Sequence, residues 1–197
     1  MAANLRYLEL CVVPNTYEEL TVEQARAFGR CLVQYKELRV SSEHMKSALA
    51  LISAAPVVEC VELTWPGTLH DIHHLQGVKF DALLTEIDSE IDSTSSNHIG
   101  SHSMHTLRLK RVMVTTTLLN AIVRLLGDRR DALRALAFSE GNCWPRAIKW
   151  QELRTLKRLR RIEFHTYLTA PWHIHINALA GGELPGVEVD LYEKHLS

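Results

Sequence analysis

Residues 104–109 read M-H-T-L-R-L, and residues 133–138 read L-R-A-L-A-F. Both place apolar residues at the first, fourth and sixth positions, and 29 positions separate them. The fourth and sixth positions flank a residue that faces the other way, as a strand with one buried face requires. The pattern recurs along the chain. Its matches are Leu5/Leu8/Leu10, Tyr35/Leu38/Val40, Val58/Val61/Leu63, Met104/Leu107/Leu109, Leu133/Leu136/Phe138, Leu159/Ile162/Phe164 and Leu184/Val187/Val189. The last anchors fall at 10, 40, 63, 109, 138, 164 and 189, so five of the six gaps lie between 23 and 30 residues. One match says little, because apolar residues are common. Seven at near-regular spacing describe a period.

Helical patterns fill the intervals. Residues 22–33 line up Val22, Ala25, Phe28, Leu32 and Val33, and residues 45–54 run to a stop at Pro56. Thr115–Thr117 cap a helix with Leu118, Leu119, Ile122, Val123 and Leu126 on one face and Gly127 at its end. Residues 146–157 repeat the design with Ile148, Leu153 and Leu156, and Gly181–Gly182 suit a helix C-terminal turn. A strand, a turn and a helix in about 25 residues make one βα unit, and such units complete a core only by stacking. The 46-residue gap holds a helical pattern at 80–91 and then D-S-T-S-S-N-H-I-G-S-H-S at 92–103. Such a run buries too little to offset the roughly 1–2 kcal/mol per residue lost on ordering backbone. The expectation is one domain, 1–197, of about seven βα units with a loop insertion at 92–103.

Charge and composition narrow the partners. Twenty-two basic and twenty-three acidic side chains leave a formal net charge of −1, too small a field to favour nucleic acid or an anionic membrane. No apolar stretch approaches the roughly 20 residues of a membrane helix. Cys11, Cys31, Cys60 and Cys143 are far apart, form no C-x-x-C pair and follow no signal-peptide pattern. Reduced thiols in a cytoplasmic or nuclear protein are expected.

L-x-x-L-x-L followed by a helix, repeated at 23–30 residues, resembles the ribonuclease-inhibitor-like leucine-rich repeats. Leu5–Leu10, Leu133–Phe138 and Leu159–Phe164 carry the resemblance best. The family places Asn or Cys three positions after the last anchor. Here those positions are Val13, Glu43, Pro66, Val112, Gly141, Tyr167 and Tyr192, so the array is irregular and similar to the repeat halves of F-box substrate receptors. The resemblance implies a right-handed βα solenoid, α/β in class, with one parallel sheet and helices on its convex side. It further implies a non-enzymatic module without cofactors that binds another protein on the concave face, as in substrate recognition by a ubiquitin-ligase complex. The first strand pattern has no polar capping unit before it, so that end is expected to continue a longer array or to be covered by another subunit.

In a stacked array the residue between the fourth and sixth anchors points to the open face. That column reads Glu9, Arg39, Glu62, Arg108, Ala137, Glu163 and Glu188, and Tyr7, Glu37, Thr64, Lys110, Arg161 and His165 flank it. A sheet buried on both faces would carry apolar residues there. The expected binding surface is therefore Tyr7, Glu9, Glu37, Arg39, Glu62, Thr64, Arg108, Lys110, Arg161, Glu163 and His165.

A second reading is a small α/β enzyme, a metal-assisted hydrolase using His98, His102 and His105, spaced by four and three. The Ser, Asn and Gly around them argue against a helix, and no Cys or paired carboxylate completes a tetrahedral set. Asp71, His73 and His74, and likewise His173 and His175, read as structural or exposed. No nucleophile elbow, phosphate loop or activated thiol pattern is present. Lys157–Arg161 is a basic run on a rim, with Glu152 and Glu163 close in sequence.

Overall fold

Seven of the strands in the computed structural model begin where an apolar–x–apolar pair can bury one face. The structure describes residues 7–11, 21–41, 45–64, 104–111, 113–114, 116, 119–120, 123, 132–139, 142–143, 148–167 and 176–194. The helical pattern at 80–91 and the loop at 92–103 lie outside these residues, as do Leu5, Asp71, His73, His74, His98, His102, His173 and His175. Strands β1 (Tyr7–Cys11), β2 (Glu37–Ser41), β3 (Cys60–Thr64) and β4 (Thr106–Lys110) are followed by the two-residue β5 (Met113–Val114). Then come β6 (Ala135–Ser139), the short β7 (Asn142–Cys143), β8 (Arg161–Tyr167) and β9 (Glu188–Lys194). The main sheet is parallel throughout, in the order β1-β2-β3-β4-β6-β8-β9, and β5 pairs with β7 in a second small parallel sheet. Strand order follows chain order with no switch point.

The register repeats from strand to strand. Leu8, Leu38, Val61, Leu107, Leu136, Ile162 and Val189 stand side by side, as do Leu10, Val40, Leu63, Leu109, Phe138, Phe164 and Leu191. One backbone motif recurs just before the strands. The N–H groups of Glu59 and Cys60 both donate to the Lys36 carbonyl, at 2.8 and 3.1 Å. His105 and Thr106 repeat this on Glu59, Arg134 and Ala135 on His105, and Arg160 and Arg161 on Arg134.

The last unit departs from the expected frame. The pattern Leu184/Val187/Val189 predicts Val189 beside Phe164, but Val189 lies beside Ile162 and Leu191 beside Phe164. Two extra residues separate the first anchor from the strand. Pro185 and Gly186 form a turn in which the Val187 N–H donates to the Leu184 carbonyl at 3.3 Å and Gly186 has φ 79°. Proline at the second position and a left-handed glycine at the third are what a type II turn asks for. Leu184 stays buried in the core beneath it. Gly186→Ala, with open space around its Cβ, is expected to cost about 1–2 kcal/mol through φ alone, read as a lower urea midpoint with an unchanged slope.

Helices cover the anchor side. Helix α1 (Val22–Arg30) starts at a capping box, in which Thr21 Oγ1 accepts from Gln24 N at 3.2 Å and Gln24 Oε1 accepts from Thr21 N at 2.9 Å. It is shorter than the expected 22–33; Ala25 and Leu32 of the expected face are buried, but Gly29 is buried where Phe28 was expected, Phe28 being 43 % exposed, and Val33 lies beyond the helix end and is 64 % exposed. The small residues form the contact because α1 lies close against α2 (Met45–Ala54). Helix α2 keeps its expected bounds and buries Ala48, Leu51 and Ile52.

Within the α-helix expected over 146–157, the described residues differ in kind. Trp150–Thr155 is a 3-10 helix, and Trp150, Leu153, Leu156 and Leu159 are all buried. Apolar residues three apart eclipse one another on a 3-10 helix, so this spacing selects the tighter winding. Phe138 and Phe164 stack at 5.5 Å between ring centroids, and Trp150 meets both edge-on at 5.9 Å. Leu119 is buried within the expected helix 115–126, of which Thr116, Asn120 and Val123 are also described and helical. Gly182, at φ 102°, breaks the π-helical turn Leu179–Glu183, as the expected glycine turn requires.

Candidate functional site

Because side chains alternate across a strand, the residues between the buried anchors share the opposite face of the sheet. The middle row runs Glu9, Arg39, Glu62, Arg108, Ala137, Glu163 and Asp190. Asp190 thus takes the place that the sequence pattern assigns to Glu188, which stands beside Arg161 instead. The cause is the two-residue turn at Pro185–Gly186. Arg39, Glu62, Arg108, Glu163 and Asp190 are half-buried and Glu9 is exposed. Ala137 is 4 % exposed yet stands outside the apolar core cluster, as expected for a short side chain between Arg108 and Glu163 in the register.

The flanking residues fall on the same face. Tyr7 and Glu37 are register partners, as are Glu37 and Cys60, while Thr64 pairs with Lys110 and Ser139 with His165. Glu37 gathers two cations. Its Oε1 lies 3.3 Å from Arg39 and 4.0 Å from Arg108, reaching across the strand between them. Cys60 lies on that strand, where burial pushes its thiol above the ordinary value, with the Arg108 charge acting in the opposite direction. A thiol raised in this way is a weak nucleophile at neutral pH. Ion pairs this exposed contribute little to stability, so they order the surface more than they hold the fold.

A denser group forms on β8 and β9. The Arg161 guanidinium donates to Asp190 Oδ2, lies 3.2 Å from Glu163 Oε1, and donates to the Tyr192 hydroxyl at 2.6 Å. The Asp190 hydrogen bond is the main reason that Arg161 is raised above its ordinary value. His165 Nε2 is 3.1 Å from Glu163 Oε2, and its ring stacks on Tyr192 at 4.6 Å with 12° between planes. Arg161, Glu163 and His165 were legible from the strand pattern; Asp190 and Tyr192 were not. The Pro-Gly pair at 185–186 was the signal that could have found them.

A second row missed by the pattern lies just before the strands. Lys36 donates to Glu59 Oε1 at 2.5 Å and holds that carboxyl below its usual range. His105 is exposed at this rim, with Nδ1 3.0 Å from Thr106 Oγ1 and Nε2 3.8 Å from Glu59 Oε2. Of the expected metal set only His105 is described, and among the described residues no group of three or more His, Cys, Asp or Glu could hold a metal. Among those residues, too, no helix is long and apolar enough to cross a membrane. The chain matches no family model and no curated protein.

Proposed function

We propose that this chain is a non-enzymatic protein-binding module, a right-handed βα solenoid of the leucine-rich-repeat kind, whose partner lies across the charged sheet face. One observation carries the reading. A parallel sheet in unswitched order has one face packed with apolar anchors and the other lined with half-exposed Glu and Arg. Parallel sheets are ordinarily covered on both faces and read as apolar runs, and an open one is a property of stacked repeats that use it for binding. The recurring carbonyl motif before the strands supports the same reading, because it marks one structural unit used again and again. By its resemblance to F-box substrate receptors, the module recognises substrates for a ubiquitin-ligase complex in the cytoplasm or nucleus, with no cofactor.

Arg39 and Arg108 are the central cations of this face, both drawn to Glu37. Replacing both with Glu places like charges beside Glu37, Glu9 and Glu62 and reverses the field a partner meets. A partner recovered by affinity capture is expected to bind the double variant at least about tenfold more weakly, measured well below its thermal midpoint, which the like charges opposite one another on β1 to β4 lower. Equal affinity would remove the open face as the binding surface.

A further inference from the structure

We infer that the β8–β9 edge of the open face receives a cationic side chain, an arginine or a lysine, presented by the partner protein against the outer face of the Tyr192 ring. This rests on reading the open face as a protein-binding surface and names the chemistry that one part of it recognises.

Tyr192 is on the outermost strand of the described sheet. His165, one strand in, covers one side of its ring in a nearly parallel stack. The stack runs across the strands, so the other side of the ring looks off the sheet edge, and Tyr192 is 41 % exposed. The ring is held as it stands. Its hydroxyl accepts from Arg161, which Asp190 and Glu163 hold in turn. A partner therefore meets an aromatic plane whose orientation is already fixed, which lowers the ordering cost of contact.

Charge decides what the plane takes. Between Arg161 and Tyr192 the open face of these two strands carries Glu163, Glu188 and Asp190 against the single guanidinium of Arg161. Arg161 is already engaged by two carboxylates and a hydroxyl, so an incoming anion finds that cation occupied and meets the surrounding carboxylates. A cation finds the electron-rich ring face with acidic groups beside it. A guanidinium can also stack flat on the ring, which favours arginine over lysine.

The test titrates tetra-arginine, tetra-lysine and tetra-glutamate peptides into the full chain while amide resonances are followed. Tetra-arginine is expected to move β8 and β9 resonances at lower concentration than tetra-lysine, and tetra-glutamate to leave them in place. Tyr192→Leu, which keeps apolar bulk without the ring, is expected to weaken tetra-arginine binding about fivefold, and Tyr192→Phe to stay within about twofold. Should Tyr192→Leu not fold, Tyr192→Thr, another strand-compatible residue without a ring, serves in its place and is expected to weaken tetra-arginine binding about fivefold. Equal binding by the ring-less variant, or shifts confined to other strands, would overturn the inference. Partner capture that is lost in the Arg39→Glu, Arg108→Glu variant but indifferent to Tyr192→Leu overturns this site alone. Tyr192-dependent peptide binding with capture indifferent to the arginine changes supports the site and removes the wider reading of the open face.

Discussion

Trp150→Ala is expected to lower the unfolding free energy by about 3–5 kcal/mol, the range for removing a large buried aromatic. Trp150 is fully buried, and its indole meets Phe138 and Phe164 edge-on while those two rings stack on each other. The three rings join two strands to the 3-10 helix that covers them. Alanine removes the transfer free energy of the indole, two edge-to-face contacts worth about 0.5–1.5 kcal/mol each, and the support beneath both phenylalanines. Domains are stable by only about 5–15 kcal/mol in total, so the variant should show a much lower urea midpoint and a large fall in thermal midpoint. Trp150→Phe keeps an edge and much of the volume and should lose less than half as much. A loss under about 1 kcal/mol for the alanine variant would mean that the three rings do not pack as a unit.

What the sequence revealed divides along physical lines. Strand anchors were legible because burial imposes a period of two that no neighbour can alter. Leu38/Val40, Val61/Leu63, Leu107/Leu109, Leu136/Phe138 and Ile162/Phe164 face the core for that reason. In the last unit the period was still correct and the frame was wrong. Leu184 is buried as a first anchor should be, but Pro185–Gly186 inserts a turn before the strand begins. Counting from Leu184 therefore displaced the open-face row by two residues and gave Glu188 where Asp190 stands. The helices were harder for another reason. A helix can turn any of several stripes inward, and which one wins depends on the surface it meets. Phe28 shares the expected stripe of α1 with Ala25, yet it is exposed and Gly29 is buried beside Ala25 instead. At 150–159 apolar residues recur every three positions, which fits a 3-10 helix better than the α-helix expected over 146–157. The open-face residues were found because they follow from the anchors, whereas their mutual contacts depend on rotamers that no strand pattern encodes.

The close approach of α1 to α2 yields the other large expected effect. Glycine in a helix interior is usually a weakness, and alanine there gains up to about 1 kcal/mol. Gly29→Ala is expected to do the opposite and destabilise by about 2 kcal/mol, within the range for overpacking a tight contact. A Cβ at this position would stand 2.3 Å from the Leu51 carbonyl oxygen and 3.0 Å from the Ala54 Cβ. Neither neighbour can yield cheaply. The Leu51 oxygen is backbone and already accepts from Ala55 N at 3.2 Å, and Ala54 has no rotamer to change. Relief requires moving one helix away from the other, which opens space around Ala25, Leu51 and Ala55 in the core beneath. Gly181→Ala, with nothing within 4 Å of its Cβ, is the matching control and should change stability by less than about 0.5 kcal/mol. Paired urea titrations of the two variants measure the difference directly. A gain in stability for Gly29→Ala would mean that α1 and α2 stand further apart than described. The burial of Gly29 in place of Phe28 would then lose its physical cause.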